Sequence, residues 1–173
     1  YLVPFAHKVF VSYRDLEGIK EKYKYKVKEI GNIINKDIIN FTKNDSYNKQ
    51  GLQFKVLVLG GSQGAEVFAN EIPEIFIKCK EDKIPLEVYQ QCLPNQEQRL
   101  SSLYKSANLD HKIFNFSNNL LKYYSKTDLA ITRAGSSVLA ELINCNVPFI
   151  SIPLPSSADK HQLKNAIYYE KKK

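Results

Sequence analysis

The chain has 173 residues, 43% hydrophobic and 25% charged, which is ordinary globular material for one domain and part of another. A net charge of +7 favours anionic partners, but the clustered Arg and aromatic residues of a nucleic-acid module are missing, so a solvated lysine-rich surface is the first reading. No apolar run reaches the roughly 18 residues of a membrane span, no signal peptide is visible, and Cys79, Cys92 and Cys145 are too scattered for a disulfide framework or zinc site.

In chain order, Val9–Tyr13 reads as a short strand. Glu21–Ile30 alternates Tyr23, Tyr25 and Val27 with Lys22, Lys24, Lys26 and Lys28, which predicts a half-buried edge strand with its lysines outward. A basic face for an anionic membrane surface is the functional alternative. Asn35–Gly51 is polar and reads as a loop, with a domain boundary near Gly31–Asn35. Strand Lys55–Leu59 follows, then the turn Gly60-Gly61-Ser62-Gln63-Gly64, then a helix over Ala65–Cys79 that Pro73 is expected to kink or split. Next come strand Leu86–Gln91 and a helix over Gln96–Ala107. Strand Ile113–Phe116 leads to a helix over Asn118–Lys126, with Ser117 as its N-cap. Strand Leu129–Thr132 leads to helix Ser136–Asn144, and strand Val147–Ile152 to a last helix from about Lys160.

Five strands alternating with helices predict a Rossmann-like, doubly wound parallel α/β sheet. Ligands of such sheets sit at the carboxyl ends of the strands, near the switch point. Two of these ends are glycine turns opening helices, at Gly60–Gly64 and at Thr132-Arg133-Ala134-Gly135-Ser136-Ser137. Free amides and the positive end of a helix dipole suit phosphate, and a pair of such ends suits a diphosphate. Alone, the first turn reads equally well as a tight strand-to-helix connection. Glu141, a little over one turn beyond Ser136, is placed to accept two ribose hydroxyls, or is an ordinary exposed helical residue. Arg133 neutralises phosphate or makes a salt bridge. His161 reads as a surface histidine and Asp159 as an N-cap. There is no nucleophile elbow, metalloprotease motif or carboxylate pair, so the reacting base is expected outside the chain.

The segments Gly60–Ala65, Thr132–Leu142, Ile152–Pro155, Ala158–Gln162 and Asn165-Ala166 together resemble the MurG family, bacterial glycosyltransferases that make lipid II in peptidoglycan synthesis. The resemblance spans most of the chain after Gly31. It implies the C-terminal half of a GT-B enzyme, two Rossmann-like domains around a cleft. It also implies inverting transfer of N-acetylglucosamine from UDP to lipid I, with no metal or cofactor, on the cytoplasmic face of the inner membrane. Residues 1–34 would end the acceptor-side domain and linker, and 35–173 would form the UDP-sugar domain, cut short at its C-terminus. The absence of Met also suggests a piece of a longer protein.

By the same resemblance, Gly61, Ser62, Gln63 and Gly64 would meet the diphosphate with Arg133, Gly135, Ser136 and Ser137. The backbone at Ser117 would read the uracil edge and Glu141 the ribose, while His161 and Gln162 would face the donor sugar and Asn165 would also belong to the donor site. Asn35 replaces the family's junction arginine, Val138 a common threonine, and Leu93 a usual glycine. The acceptor loops lie outside the chain. The alternatives are a UDP-sugar-binding module or remnant needing a separate acceptor partner, and a basic RNA-binding Rossmann domain.

Overall fold

The computed structural model describes residues 2–13, 18–41 and 53–171, with the side chains of 62–65 left out of the description. The chain divides into two compact units, Tyr1–Asn35 and Lys36–Lys173.

In the first unit, β1 (Val9–Val11) pairs in parallel with β2 (Val27–Glu29). Most of the expected edge strand is instead a 3₁₀ helix, Glu21–Lys26. The alternating pattern missed what the Lys26 ammonium does. Its donors meet three backbone carbonyls, of Val3 (3.4 Å), Pro4 (2.9 Å) and Ala6 (2.7 Å), and it lies 5.4 Å from the Tyr23 ring centroid. Three residues per turn brings Tyr23 and Lys26 to one side. Tyr25, expected inward, is 80% exposed.

The second unit begins with the short helix α1 (Lys36–Ile39), tied down by Asn144 Nδ2 donating to the Ile38 carbonyl at 2.8 Å. This helix falls within the expected loop Asn35–Gly51, of which residues 42–51 lie outside the described residues. The strands β3 (Phe54–Leu59), β4 (Leu86–Gln91), β5 (Asp110–Phe114), β6 (Leu129–Thr132) and β7 (Phe149–Ser151) form one sheet in the order β5-β4-β3-β6-β7. Every pairing is parallel. The helices between them are α2 (Gly61–Glu81), α3 (Glu97–Ser106), α4 (Leu121–Tyr124) and α5 (Ser136–Asn144), with α6 (His161–Glu170) after β7. Along β3, Val56 and Val58 join Phe68, Ile72 and Phe76 of α2 in one core, and the intervening Leu57 and Leu59 are buried as well. A strand covered on both faces needs such a continuous apolar run.

Pro73 does not split its helix; α2 runs unbroken from Gly61 to Glu81. Proline has no N–H, so the carbonyl four residues back, that of Ala69, loses its helical donor. The Arg99 guanidinium from α3 supplies one, its Nη2 donating to Ala69 O at 3.0 Å and to Asn70 Oδ1 at 2.7 Å. Buried Gln90 donates to the neighbouring Phe68 carbonyl at 3.3 Å and accepts from the Tyr104 hydroxyl.

Three boundaries shift in ways that shape the site. β5 begins at Asp110 and stops at Phe114, because a sheet edge tolerates the polar run Asp110-His111-Lys112. Asn115, Phe116 and Ser117 therefore lie past the strand end. Ser117 caps no helix. Its Oγ accepts from the Asn119 N–H at 3.3 Å and donates to the Asn119 carbonyl at 3.1 Å, a local turn that competes with helix and leaves α4 only four residues. Asp159 is likewise not the cap of α6. It sits inside a 3₁₀ turn, Ala158–Lys160, with φ 48°, and Lys160 at φ 53° occupies the cap position.

Candidate functional site: two amide turns and a carboxylate at the switch point

β3 leads to β4 and β5 on one side, and β6 and β7 lie on the other, so the strand order reverses between β3 and β6. Leu59 pairs with Thr132 at the carboxyl ends of these neighbours. Two further bonds lock the ends together: the Arg133 N–H and the Thr132 hydroxyl both donate to Leu59 O at 3.2 Å. The two glycine turns therefore leave adjacent strands.

Past Leu59 the chain enters α2 earlier than periodicity predicts. Gly60 is right-handed (φ −77°, ψ −22°) and Gly61 has φ 64°. A right-handed residue followed by a left-handed one turns successive N–H groups toward one concavity, an anion nest. The positive φ is what requires glycine at 61. The Ser62 and Gln63 side chains lie outside the described residues; with Gly64 they form the first turn of α2.

Past Thr132, the Gly135 N–H folds back onto Arg133 O at 2.9 Å, and Gly135 caps α5 in extended geometry (φ −71°, ψ 134°). The first amides of α5, on Ser136, Ser137 and Val138, precede any helical acceptor. Glu141 lies on the face of Ser137 and Val138, and a long helical side chain leans back over the preceding turn. It is half-buried rather than exposed, and the Tyr124 hydroxyl donates to its Oε2 at 2.8 Å. Burial, then the Glu141 charge and hydrogen bond, push the Tyr124 phenol far above its ordinary pKa.

Three residues expected to touch ligand brace this corner. Arg133 is buried, with its guanidinium 4.5 Å from the Phe68 ring centroid and Nη1 reaching the carbonyls of Ile152 (3.3 Å) and Pro153 (3.4 Å). Burial lowers its pKa. Asn165 Nδ2 donates to Ala134 O at 2.9 Å, and Gln162 Oε1 accepts from the Leu154 N–H at 2.9 Å. α6 thereby holds both the β6–α5 turn and the loop after β7. His161 is exposed, its Nδ1 2.8 Å from Ala158 O. Asn35 ends the first unit and is exposed.

Beside the first turn lies a cavity of about 210 Å³, lined by Gly61, Gln91, Cys92, Leu93, Pro94, Asn115 and Phe116. Phe116, next to Ser117, is 82% exposed and offers a free ring face. The apolar run Ile113–Phe116 marks it only as a strand residue. Leu93 fits its glycine-like position because the backbone there is ordinary and extended (φ −76°, ψ 152°). The buried Cys92 thiol is pushed up to about 11, by desolvation and then by the charge of Glu97. Among the described residues no group of three or more His, Cys, Asp or Glu is placed to hold a metal ion.

Comparison with known proteins agrees with this fold. Residues 55–173 match the model of the glycosyltransferase family 28 C-terminal domain. A protein of Pelagibacter ubique (strain HTCC1062) is 33% identical over 171 residues, covering 99% of this chain and 47% of that protein. One of Rickettsia bellii (strain RML369-C) is 33% identical over 179 residues, covering 100% and 49%. Both are named UDP-N-acetylglucosamine--N-acetylmuramyl-(pentapeptide) pyrophosphoryl-undecaprenol N-acetylglucosamine transferase. The chain thus spans about half the length of these relatives. The crystal structure of Acinetobacter baumannii MurG superposes with a TM-score of 0.74 at 23% identity, over 98% of this chain and 52% of that one, which supports the fold. On the family match and the two relatives, the chain belongs to the family 28 glycosyltransferases and carries the C-terminal domain of the MurG type.

Proposed function

We propose that the chain is the donor-binding part of an inverting glycosyltransferase that moves N-acetylglucosamine from UDP to lipid I, forming lipid II for the cell wall. The observation that carries this reading is the pair of amide turns leaving neighbouring strands at the switch point, with Glu141 on the second helix. The nest at Gly60-Gly61 and the first turn of α5 hold the two phosphates. Glu141 accepts the ribose hydroxyls. Phe116 and the backbone around Ser117 flank the base. His161 stands on the sugar side.

Transfer breaks the bond between the sugar and the diphosphate, and negative charge develops on the departing UDP. Fixed amides and two helix N-termini stabilise that charge without reorganising. The base that activates the acceptor hydroxyl belongs to the other half of the enzyme. On this reading residues 1–34 close the acceptor-side domain and residues 35–173 form the donor domain. Exposed Lys20, Lys22 and Lys28, with Lys24 paired to Glu21 at 2.6 Å, leave the surface of the first unit rich in lysine, which suits an anionic membrane surface, where a lipid-linked acceptor resides. No helix among the described residues is long and apolar enough to cross a membrane.

Calorimetric titration with UDP-N-acetylglucosamine tests the reading. The chain should bind, and Glu141→Ala should weaken binding by about 1–3 kcal/mol, the scale of hydrogen bonds to a charged group. An unchanged dissociation constant removes Glu141 from the site. Turnover of lipid I by this chain without an acceptor half would show that the catalytic base had been placed in the wrong half.

A further inference from the structure

The proposed ribose carboxylate does not stand alone. Tyr124 is 0% exposed, and its phenol has one proton to donate. A buried hydroxyl needs a partner, and the one it has is Glu141 Oε2 at 2.8 Å. Among the described residues the Glu141 carboxylate makes no other hydrogen bond or ion pair, which leaves Oε1 open. The platform beneath the phenol is fixed at several points. The Tyr124 N–H donates to Leu120 O at 3.0 Å, the Thr127 hydroxyl to Tyr123 O at 2.9 Å, and the Lys55 N–H, at the start of β3, to Asp128 Oδ2 at 2.8 Å.

We infer that Tyr124 is a positioning residue that sets the nucleotide's pentose specificity: its phenol holds Glu141 by one carboxylate oxygen, so that the other meets the vicinal hydroxyls of a ribose. This rests on the reading of Glu141 given above. A glutamate has three side-chain torsions to order on binding, and the phenol orders them beforehand. A carboxylate presented in one orientation accepts from a diol and gives nothing to a pentose without hydroxyls. Its contribution is discrimination, and it disappears for a ligand lacking the diol.

The test titrates the chain with UDP and with 2′,3′-dideoxy-UDP. The unaltered chain should prefer UDP. Tyr124→Phe, which keeps the ring, should weaken UDP roughly three- to tenfold and leave dideoxy-UDP unchanged. Glu141→Gln should weaken UDP alone, and the double variant should lose no more than Glu141→Gln does. Equal loss for both nucleotides, or loss for neither, in Tyr124→Phe overturns the positioning role. If the unaltered chain shows no preference and Glu141→Gln changes nothing, the ribose reading itself falls. If Glu141→Gln abolishes the preference while Tyr124→Phe keeps it, only the present inference falls. A variant-free reading comes from the Tyr124 hydroxyl proton, whose resonance should shift with UDP and stay put with dideoxy-UDP. The same shift with both nucleotides, or none, counts against the inference even if Tyr124→Phe fails to fold.

Discussion

Gly135→Ala separates a glycine kept for its backbone from one kept for its ligand. At φ −71° and ψ 134° the backbone of residue 135 suits any amino acid, and an added Cβ would meet only Val138 Cγ1, at 3.5 Å. Two small effects on stability oppose each other. Removing glycine's freedom from the unfolded chain stabilises by about 0.4–1 kcal/mol, and alanine is poorer than glycine at an N-cap by a similar amount. The net change should stay within about 0.5 kcal/mol, which for a chain of this size moves Tm by about 2 °C or less. Binding should respond very differently. The new methyl stands where phosphate oxygens would approach the first turn of α5. Losing one such bond, at about 1.5–3 kcal/mol for a charged acceptor, weakens UDP on the order of ten- to a hundredfold. Gly61→Ala is the contrasting case, since φ 64° makes an alanine strained by about 1–2 kcal/mol even though the space around it is open. Thermal melts and calorimetry on the two variants give the comparison. A Gly135→Ala protein that melts normally and binds UDP as tightly as before would refute the phosphate role of this turn.

Arg99→Leu should cost about 1–2 kcal/mol by urea unfolding, because the buried Ala69 carbonyl loses its donor; in a Pro73→Ala background the cost should fall by about 1 kcal/mol, since a helical N–H then replaces it. The Cys92 thiol is held at about 11 against an ordinary 9.0, so its contribution to stability is complete below pH 9 and fades as pH rises to 11, where the unfolded chain sheds the proton first. Chemical unfolding across that interval should show the decline, and Cys92→Ala should remove its early part, between pH 9 and the point near 10 where unfolded tyrosines begin to titrate. Asn165→Ala should lower Tm and weaken UDP together, since it frees the Ala134 carbonyl that fixes the β6–α5 turn; loss of one without the other would contradict a bracing role.

The sheet was legible because its signal is local. Leu86–Gln91, Leu129–Thr132 and Ser136–Asn144 fall where periodicity put them. Several of the failures share a physical character, in that a polar group finds its partner far along the chain. Lys26 seeks carbonyls some twenty residues earlier, and Arg99 repairs a helix thirty residues away. No spacing rule links Tyr124 to Glu141 or Asn165 to Ala134. The two glycine turns could be read as anion sites, but their adjacency follows only from the pairing of Leu59 with Thr132. The family resemblance names Gln162 and Asn165 as ligand residues, and the strand-end position of Arg133 suggests the same for it. The contacts recorded for them hold that corner's backbone. Ser117 was misplaced because a hydroxyl before Asn118-Asn119 serves a turn as readily as a helix.

The most direct test is an amide-resolved NMR titration of the chain with UDP. The N–H resonances of Gly60 and Gly61 and those of Ser136, Ser137 and Val138 should move along one saturation curve with a single dissociation constant, as expected when one diphosphate bridges both turns. Movement confined to one turn, or two curves with different constants, would contradict the claim that the switch point holds a nucleoside diphosphate between them.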